Sequence, residues 1–542
     1  MRVAEYLFQR LRECGVEVTF GIPGDFALPL YAAQEACGMR TVVMTHEPSA
    51  GYAADVYGRL RGLGVAMATY GAGALNMVNP VAMAYAEESP VLVLSGAPEA
   101  RSRLGEVLFH HRVKSVETQH RVYQEITEAS AVLNDPRRAA YEIDRVLDVI
   151  LTRSRSGYLE IPRDMVNAPL DPAGPRYERQ EPERSGLEEA LDEIAARLNG
   201  SDRAVIYAGQ EVERAGLMSK FLQLVEKLNL PVATSLMGKS VVPERHPNFI
   251  GNYLGQISDS GVRRLVEEAD CILALGMLFT DMDTGGFSAN LDPRRVIQAT
   301  LSSVRISHHV YPELTLRDVI GGLLAREGLR RPDSVPRVEP DPRPAPGGAE
   351  ITMSGIFAEL NRFLQPHHVV LADVGDPLFG ALELRADRFI GAGYYASMGL
   401  AVPGAIGAQL ADPSRRPVVL VGDGAFKMNG VELATAVDHG LNPIVLVINN
   451  GTFATLRILD RDRDYMRVRP WDYVGLAQSL GVSGERVETQ AELAPALRRA
   501  AAAPGAYLIE AVTPEEDASH ALQRMGEQFG PRIRRLIDEG KQ

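Results

Sequence analysis

Cysteine is scarce in this sequence. Three residues, Cys14, Cys37 and Cys271, are spread over 542 positions with no CxxC spacing. A disulfide framework and a zinc site are therefore excluded, and the expected compartment is a reducing cytoplasm. Positive charge is in deficit: 57 Lys and Arg against 70 Asp and Glu leave a net charge of −13. A chain that acidic is a poor partner for phosphate backbones, so no nucleic-acid binding is expected. No uncharged apolar run reaches the roughly 18 residues of a membrane span. The opening MRVAEYLFQRLRECGV is charged throughout, unlike a secretory leader.

What is present is an ordinary globular composition, 45% hydrophobic and 23% charged. At a soft prior of roughly 150 residues per domain the length suggests three or four domains. Short β-branched runs alternate with apolar residues at helical spacing. In the first third the runs are Val16–Phe20, Thr41–Met44, Gly64–Thr69 and Val91–Leu94, separated by stretches such as Pro48–Leu63. Strands alternating with helices imply parallel sheets covered on both faces. Proline-rich stretches at 167–185 and 331–349 break the pattern. They divide the chain into an α/β block at 1–168, a middle α/β block at 186–330, a linker at 331–350 and a third α/β block at 351–542.

The sharpest motif is PVVLVGDGAFKMNGVELATAVDHGLNPIVLVINNGTF. One buried strand ends in Gly422-Asp423-Gly424 and a second ends in Asn449-Asn450, with a helical stretch between. Asp423 and Asn450 therefore sit at carboxyl ends of parallel strands, where open α/β sheets bind ligands. A carboxylate and an amide oxygen, with backbone oxygens nearby, suit a hard octahedral cation such as Mg²⁺, whose shell is completed by phosphate oxygens and water. The glycines let backbone approach a phosphate closely.

The GDG…NN segment resembles the thiamine diphosphate-binding motif, and the three-block layout resembles the pyruvate decarboxylase-type superfamily. The resemblance implies three doubly wound parallel-sheet α/β domains: pyrimidine-binding, middle and diphosphate-binding. It implies that Asp423, the Asn450 side chain and the Thr452 carbonyl ligate Mg²⁺, which anchors thiamine diphosphate. Gly424 and Ala425 would contact the diphosphate through backbone amides, with Asp376 in DVGDPLF as a helper. Glu47 in MTHEPSAGYAAD would face N1′ of the aminopyrimidine as a buried carboxyl in apolar company, supplied from another subunit. In GAGYYASMGL, Met398 would wedge beneath the two cofactor rings and the Ala396 carbonyl would accept from N4′.

Asp25 in FGIPGDFALPLY and the pair His110-His111 in EVLFHHRVKS match the Asp and His-His set of the 2-oxo acid decarboxylases, where such groups manage protons. Pyruvate-type decarboxylases carry a glutamate where this chain has Leu456; the bacterial phenylpyruvate decarboxylases, within the phenylpyruvate/indolepyruvate group that this chain most resembles, also have an apolar residue there. The implied activity is non-oxidative decarboxylation of a bulky 2-oxo acid, aromatic or branched, to aldehyde and CO₂. By the same resemblance Asp281, Thr455, Met525 and Phe529 would line the substrate pocket. The resemblance implies a homodimer as the minimal assembly and a homotetramer as the expected one. Two other readings stay open: an acyloin-forming carboligase, and a catalytically silent protein of the same fold. Gly71-Ala-Gly73 and Gly404-x-x-Gly407 do not complete a dinucleotide fingerprint, so the middle block is expected to be structural.

Overall fold

The computed structural model describes residues 1–104, 108–179, 184–341 and 349–540. Three sheets carry the chain. The first is built from β1 (Val18–Gly21), β2 (Arg40–Val43), β3 (Gly64–Ala68), β4 (Val91–Ala97), β5 (Ala129–Val132) and β6 (Gly157–Pro162), all parallel, in the order β2-β1-β3-β4-β6-β5. The middle sheet comprises β7 (Ala204–Ala208), β8 (Val232–Thr234), β9 (Phe249–Asn252), β10 (Cys271–Leu275), β11 (Val296–Ala299), β12 (Val304–Ile306) and β13 (His309–Tyr311). Its order is β13-β12-β11-β10-β7-β8-β9, with β12 and β13 forming an antiparallel edge.

The third sheet comprises β14 (His368–Ala372), β15 (Phe389–Gly391), β16 (Arg416–Gly422), β17 (Ile444–Asn449), β18 (Ser483–Val487) and β19 (Tyr507–Val512), all parallel, in the order β15-β14-β16-β17-β19-β18. Numbered within each sheet, the first and third orders are both 2-1-3-4-6-5, so the two sheets share one topology. The central strands read as unbroken apolar runs because both faces are covered: every residue of β4 and of β17 is buried. In the first and third sheets the strand order reverses between the first and third strands, which places a ligand crevice at their carboxyl ends. Those ends lead into Asp25 after β1, Tyr70-Gly71 after β3, Asp376 after β14 and Asp423 after β16.

The chain packs as two compact units. One contains the N-terminal block with Tyr395–Arg415 and Asn429–Leu441; the other contains the middle block and the rest of the third. Compactness thus does not follow the boundary drawn at 351–542. The reason is the helix Ala401–Ala411, which is apolar on all sides and packs along the helix Glu47–Arg61; a side chain at Gly407 would strike the Ala53 backbone. The proline-rich linker is irregular but not detached as far as Asp341. Val335 and Val338 pack on the middle block, and Asp341 accepts from the Ser260 amide at 2.9 Å. The remainder of that linker, 342–348, lies outside the described residues, as do 180–183 of the earlier proline-rich stretch. Among the described residues no helix is long and apolar enough to cross a membrane.

Candidate active site

In the first unit, Glu47 opens the helix Glu47–Arg61 directly after β2. It is half-buried, and its Oε2 accepts from Asn76 Nδ2 at 2.8 Å. The expectation of full burial among apolar groups is therefore corrected: an amide supports one carboxylate oxygen, and Oε1 faces Gly73. A side chain at Gly73 would lie 3.4 Å from Oε1, so glycine keeps that oxygen clear.

Asp25, His110 and His111 come together at the tips of β1 and β3. His110 Nε2 meets Asp25 Oδ2 at 2.6 Å, and the His110 ring stacks on Phe26 with centroids 4.7 Å apart. Part-burial pushes the Asp25 carboxyl up, but the hydrogen bond and charge of His110 outweigh it and hold Asp25 below the ordinary carboxylate range. His111 sits at φ 66° with Nδ1 at 2.9 Å from the Tyr70 carbonyl. A carbonyl only accepts, so Nδ1 carries a proton and Nε2 is the ring nitrogen left for other partners. Gly71, at φ 70°, allows this approach: a Cβ there would collide with the His111 carbonyl.

The Met398 loop belongs to the same unit. Ser397 is buried, bonded to the Tyr52 hydroxyl, and accepts from Asn79 Nδ2 at 2.8 Å. The Tyr395 amide donates to Glu87 Oε1 at 2.9 Å, while Glu87 Oε2 pairs with Arg59 at 3.1 Å in a network completed by Asp55. Between these anchors Ala396 is exposed at φ 58°, a left-handed conformation costing roughly 1–2 kcal/mol for a residue with a Cβ. Met398, half-buried, follows.

In the second unit, Asp423 is buried where β16 gives way to a short helix. Its Oδ1 accepts from the Gly424 amide at 2.8 Å and its Oδ2 from the Gly451 amide at 3.0 Å. Burial raises its pKa to about 6 against these two bonds. The Asn450 side-chain oxygen accepts from the Thr452 amide at 3.1 Å. The β16 and β17 tips are thereby brought together. Asp376 is also buried, but its two oxygens are held by Ser519, one by the amide at 2.9 Å and one by the hydroxyl. Burial lifts its pKa to about 7.

The comparisons with known proteins follow the three blocks. Residues 1–130 match the thiamine pyrophosphate enzyme N-terminal TPP binding domain, 191–326 the central domain and 373–511 the C-terminal TPP binding domain. The chain belongs to the thiamine pyrophosphate enzyme family. Its relatives include an indole-3-pyruvate decarboxylase of Azospirillum brasilense, 38% identical over 97% of each chain. An alpha-keto-acid decarboxylase of Mycolicibacterium paratuberculosis is 35% identical over 92% of this chain and 91% of its own. A pyruvate decarboxylase of Aspergillus fumigatus is 30% identical over 97% and 96%. The protein is a thiamine diphosphate-dependent carboxy-lyase.

The residues present in this thiamine pyrophosphate enzyme suit the cofactor's phosphate end. Gly422 and Gly451 face open space, and a Cβ at Gly375 would lie 3.6 Å from Thr455 Oγ1. The buried hydroxyls of Thr455 and Tyr473 have no hydrogen-bond partner among the described residues. An open cradle with hard oxygens, a buried carboxylate and waiting donors is what a metal-bound diphosphate takes up.

The pocket residues inferred by resemblance divide. Thr455 and Leu456 lie on the helix Ala454–Leu459, and Met525 and Phe529 on the helix His520–Glu539. The two helices touch at Gly526, where any side chain would meet Ile458, and the Phe529 ring rests on Gly286. Met525 is core, Leu456 is 47% exposed, and Asp281 is exposed on the loop that reaches Gly286. Sequence reasoning missed Ser397, Asn79, Asn76, Glu87 and Ser519. Each acts through a partner far along the chain, and of the five only Ser397 lies inside a motif read from the sequence, GAGYYASMGL.

Proposed function

We propose that this enzyme decarboxylates a bulky 2-oxo acid, aromatic or branched, such as phenylpyruvate or indolepyruvate, to an aldehyde and CO₂, using thiamine diphosphate and Mg²⁺. The observation that carries the reading is the 2.6 Å contact of His110 with Asp25, with the His111 ring 4.7 Å from that of His110. Two imidazoles and a carboxylate form a proton relay, which is what aldehyde release needs and carboligation does not. The name of the Azospirillum relative supports an aromatic substrate.

In this reading Asp423, the Asn450 side chain and the Thr452 carbonyl hold Mg²⁺, and the amides after Gly422 face the diphosphate. Bound thiamine diphosphate supplies the nucleophile and the electron sink. Glu47 holds a proton at Oε1, the oxygen that Asn76 leaves free. The Ala396 carbonyl and the Met398 side chain orient the ring system, held in place by Ser397. His110 delivers a proton that Asp25 helps to restore, and His111 accepts or donates at Nε2. Leu456, with Phe529 and backed by the buried Met525, offers apolar surface that excludes water and leaves room for a large side chain. We further propose a cytoplasmic homodimer or homotetramer.

CO₂ and aldehyde release from pyruvate, a branched 2-oxo acid, phenylpyruvate and indolepyruvate, with cofactor and Mg²⁺ present, tests the reading. The expected order of kcat/KM puts the bulky acids first. A preference for pyruvate overturns the pocket, and acyloin without free aldehyde overturns decarboxylation in favour of carboligation.

A further inference from the structure

A cavity of ≈ 940 Å³ opens in the second unit, and none of the candidate active-site residues lines it. Its walls come from the β9 region of the middle block, the linker, residues 382–385 and the helix His520–Glu539. Arg245, Arg337, Arg385 and Arg524 all line it. Arg524 is matched by Asp259 at 3.1 Å and Asp341 at 3.0 Å. Arg245, Arg337 and Arg385 have no carboxylate partner among the described residues.

The carboxylates at the cavity offset them only in part. Glu244 is neutralised by the buried Lys239, at 2.6 Å, and Glu383, which accepts from the neutral His520 amide at 3.1 Å, is one charge against three arginines. In a chain of net charge −13 this is a local excess of positive charge. A guanidinium offers a planar fork of donors that matches phosphate bidentately. A single carboxylate satisfies one fork; three free forks around one space call for several anionic oxygens. Phe249, Val262 and Val338 add apolar wall, and the volume is that of a small-molecule site.

We propose that this cavity binds a multiply phosphorylated small molecule, its phosphates on Arg245, Arg337 and Arg385 and its organic body against Phe249 and Val338. The test is isothermal titration of the full-length protein, saturated with thiamine diphosphate and excess Mg²⁺, with ADP, fructose 1,6-bisphosphate and inorganic pyrophosphate as probes. The two esters distinguish a nucleotide from a sugar phosphate, and one of them is expected to bind once per chain, more tightly than pyrophosphate. The R245Q/R385Q variant is expected to weaken that binding by about tenfold or more. R337Q, on the irregular linker, is expected to do the same with an unchanged melting midpoint, which keeps the test sound should the double variant unfold. Absence of binding by both esters, binding that R337Q leaves intact, or pyrophosphate binding as tightly as the better ester would each overturn the assignment.

Discussion

At the scale of single residues, burial and partner decide what each carboxyl group does. Glu47 is expected to be a proton holder because one oxygen is supported and the other is clear. Glu47→Gln keeps an oxygen for Asn76 but removes the titrating group, so kcat is expected to fall by about 10²–10⁴-fold with the melting midpoint unchanged. CO₂ release surviving that change would refute the proton role. Asp376 is different: its carboxyl is locked onto Ser519 and its pKa is raised to about 7. A carboxyl with a raised folded-state pKa stabilises the fold fully below the ordinary range near 4, and that contribution is lost as pH rises through about 7. The cofactor-free protein is therefore expected to lose stability between about pH 4 and pH 7, by an amount on the order of a few kcal/mol. Asp376→Asn should flatten that slope, and parallel melting-midpoint curves for the two proteins would sink the argument. The residues legible in the sequence were those whose chemistry is local, such as Asp423 beside its glycines. Ser397 and Ser519 were illegible because a serine gains meaning only from a distant partner.

Elements were legible where a face is fully buried. β4, β16 and β17 are apolar almost throughout and stand close to where their β-branched runs place them. β18 was missed because SGERV, with only Val487 buried, has neither alternation nor an apolar run. The helix His520–Glu539 shows how one element sets a wall. Gly526 lets it lie against the helix Ala454–Leu459, and this contact sets the positions of Met525 and Phe529. Gly526→Ala puts a methyl into Ile458 and forces the helices apart at a cost of about 1–3 kcal/mol. The expected result is a lower melting midpoint together with a raised KM for the bulkiest 2-oxo acid and little change for pyruvate. A uniform loss across substrates would show that the helix does not shape the pocket.

For the whole molecule, one topology used twice, in the first and third sheets, puts ligand-facing strand tips in both compact units. That repetition was invisible in a single sequence, because the two copies share a strand order and not a motif. The middle sheet is joined to the third by buried charge. Lys239, at 0% side-chain exposure, binds both oxygens of Glu244 at 2.6 and 2.7 Å and the Leu384 carbonyl at 2.9 Å. Glu244 in turn accepts from the Ala386 amide at 2.9 Å. Breaking a buried pair from one side strands a charge, at about 3–5 kcal/mol, whereas removing both charges costs much less. Lys239→Met is therefore expected to lower the calorimetric transition of the second unit strongly. Adding Glu244→Gln, which keeps an oxygen for Ala386, should recover part of the loss, because the two changes remove one interaction and are not additive. If the double variant melts lower than the single by the full cost of Glu244→Gln alone, the pair is not what joins the two sheets.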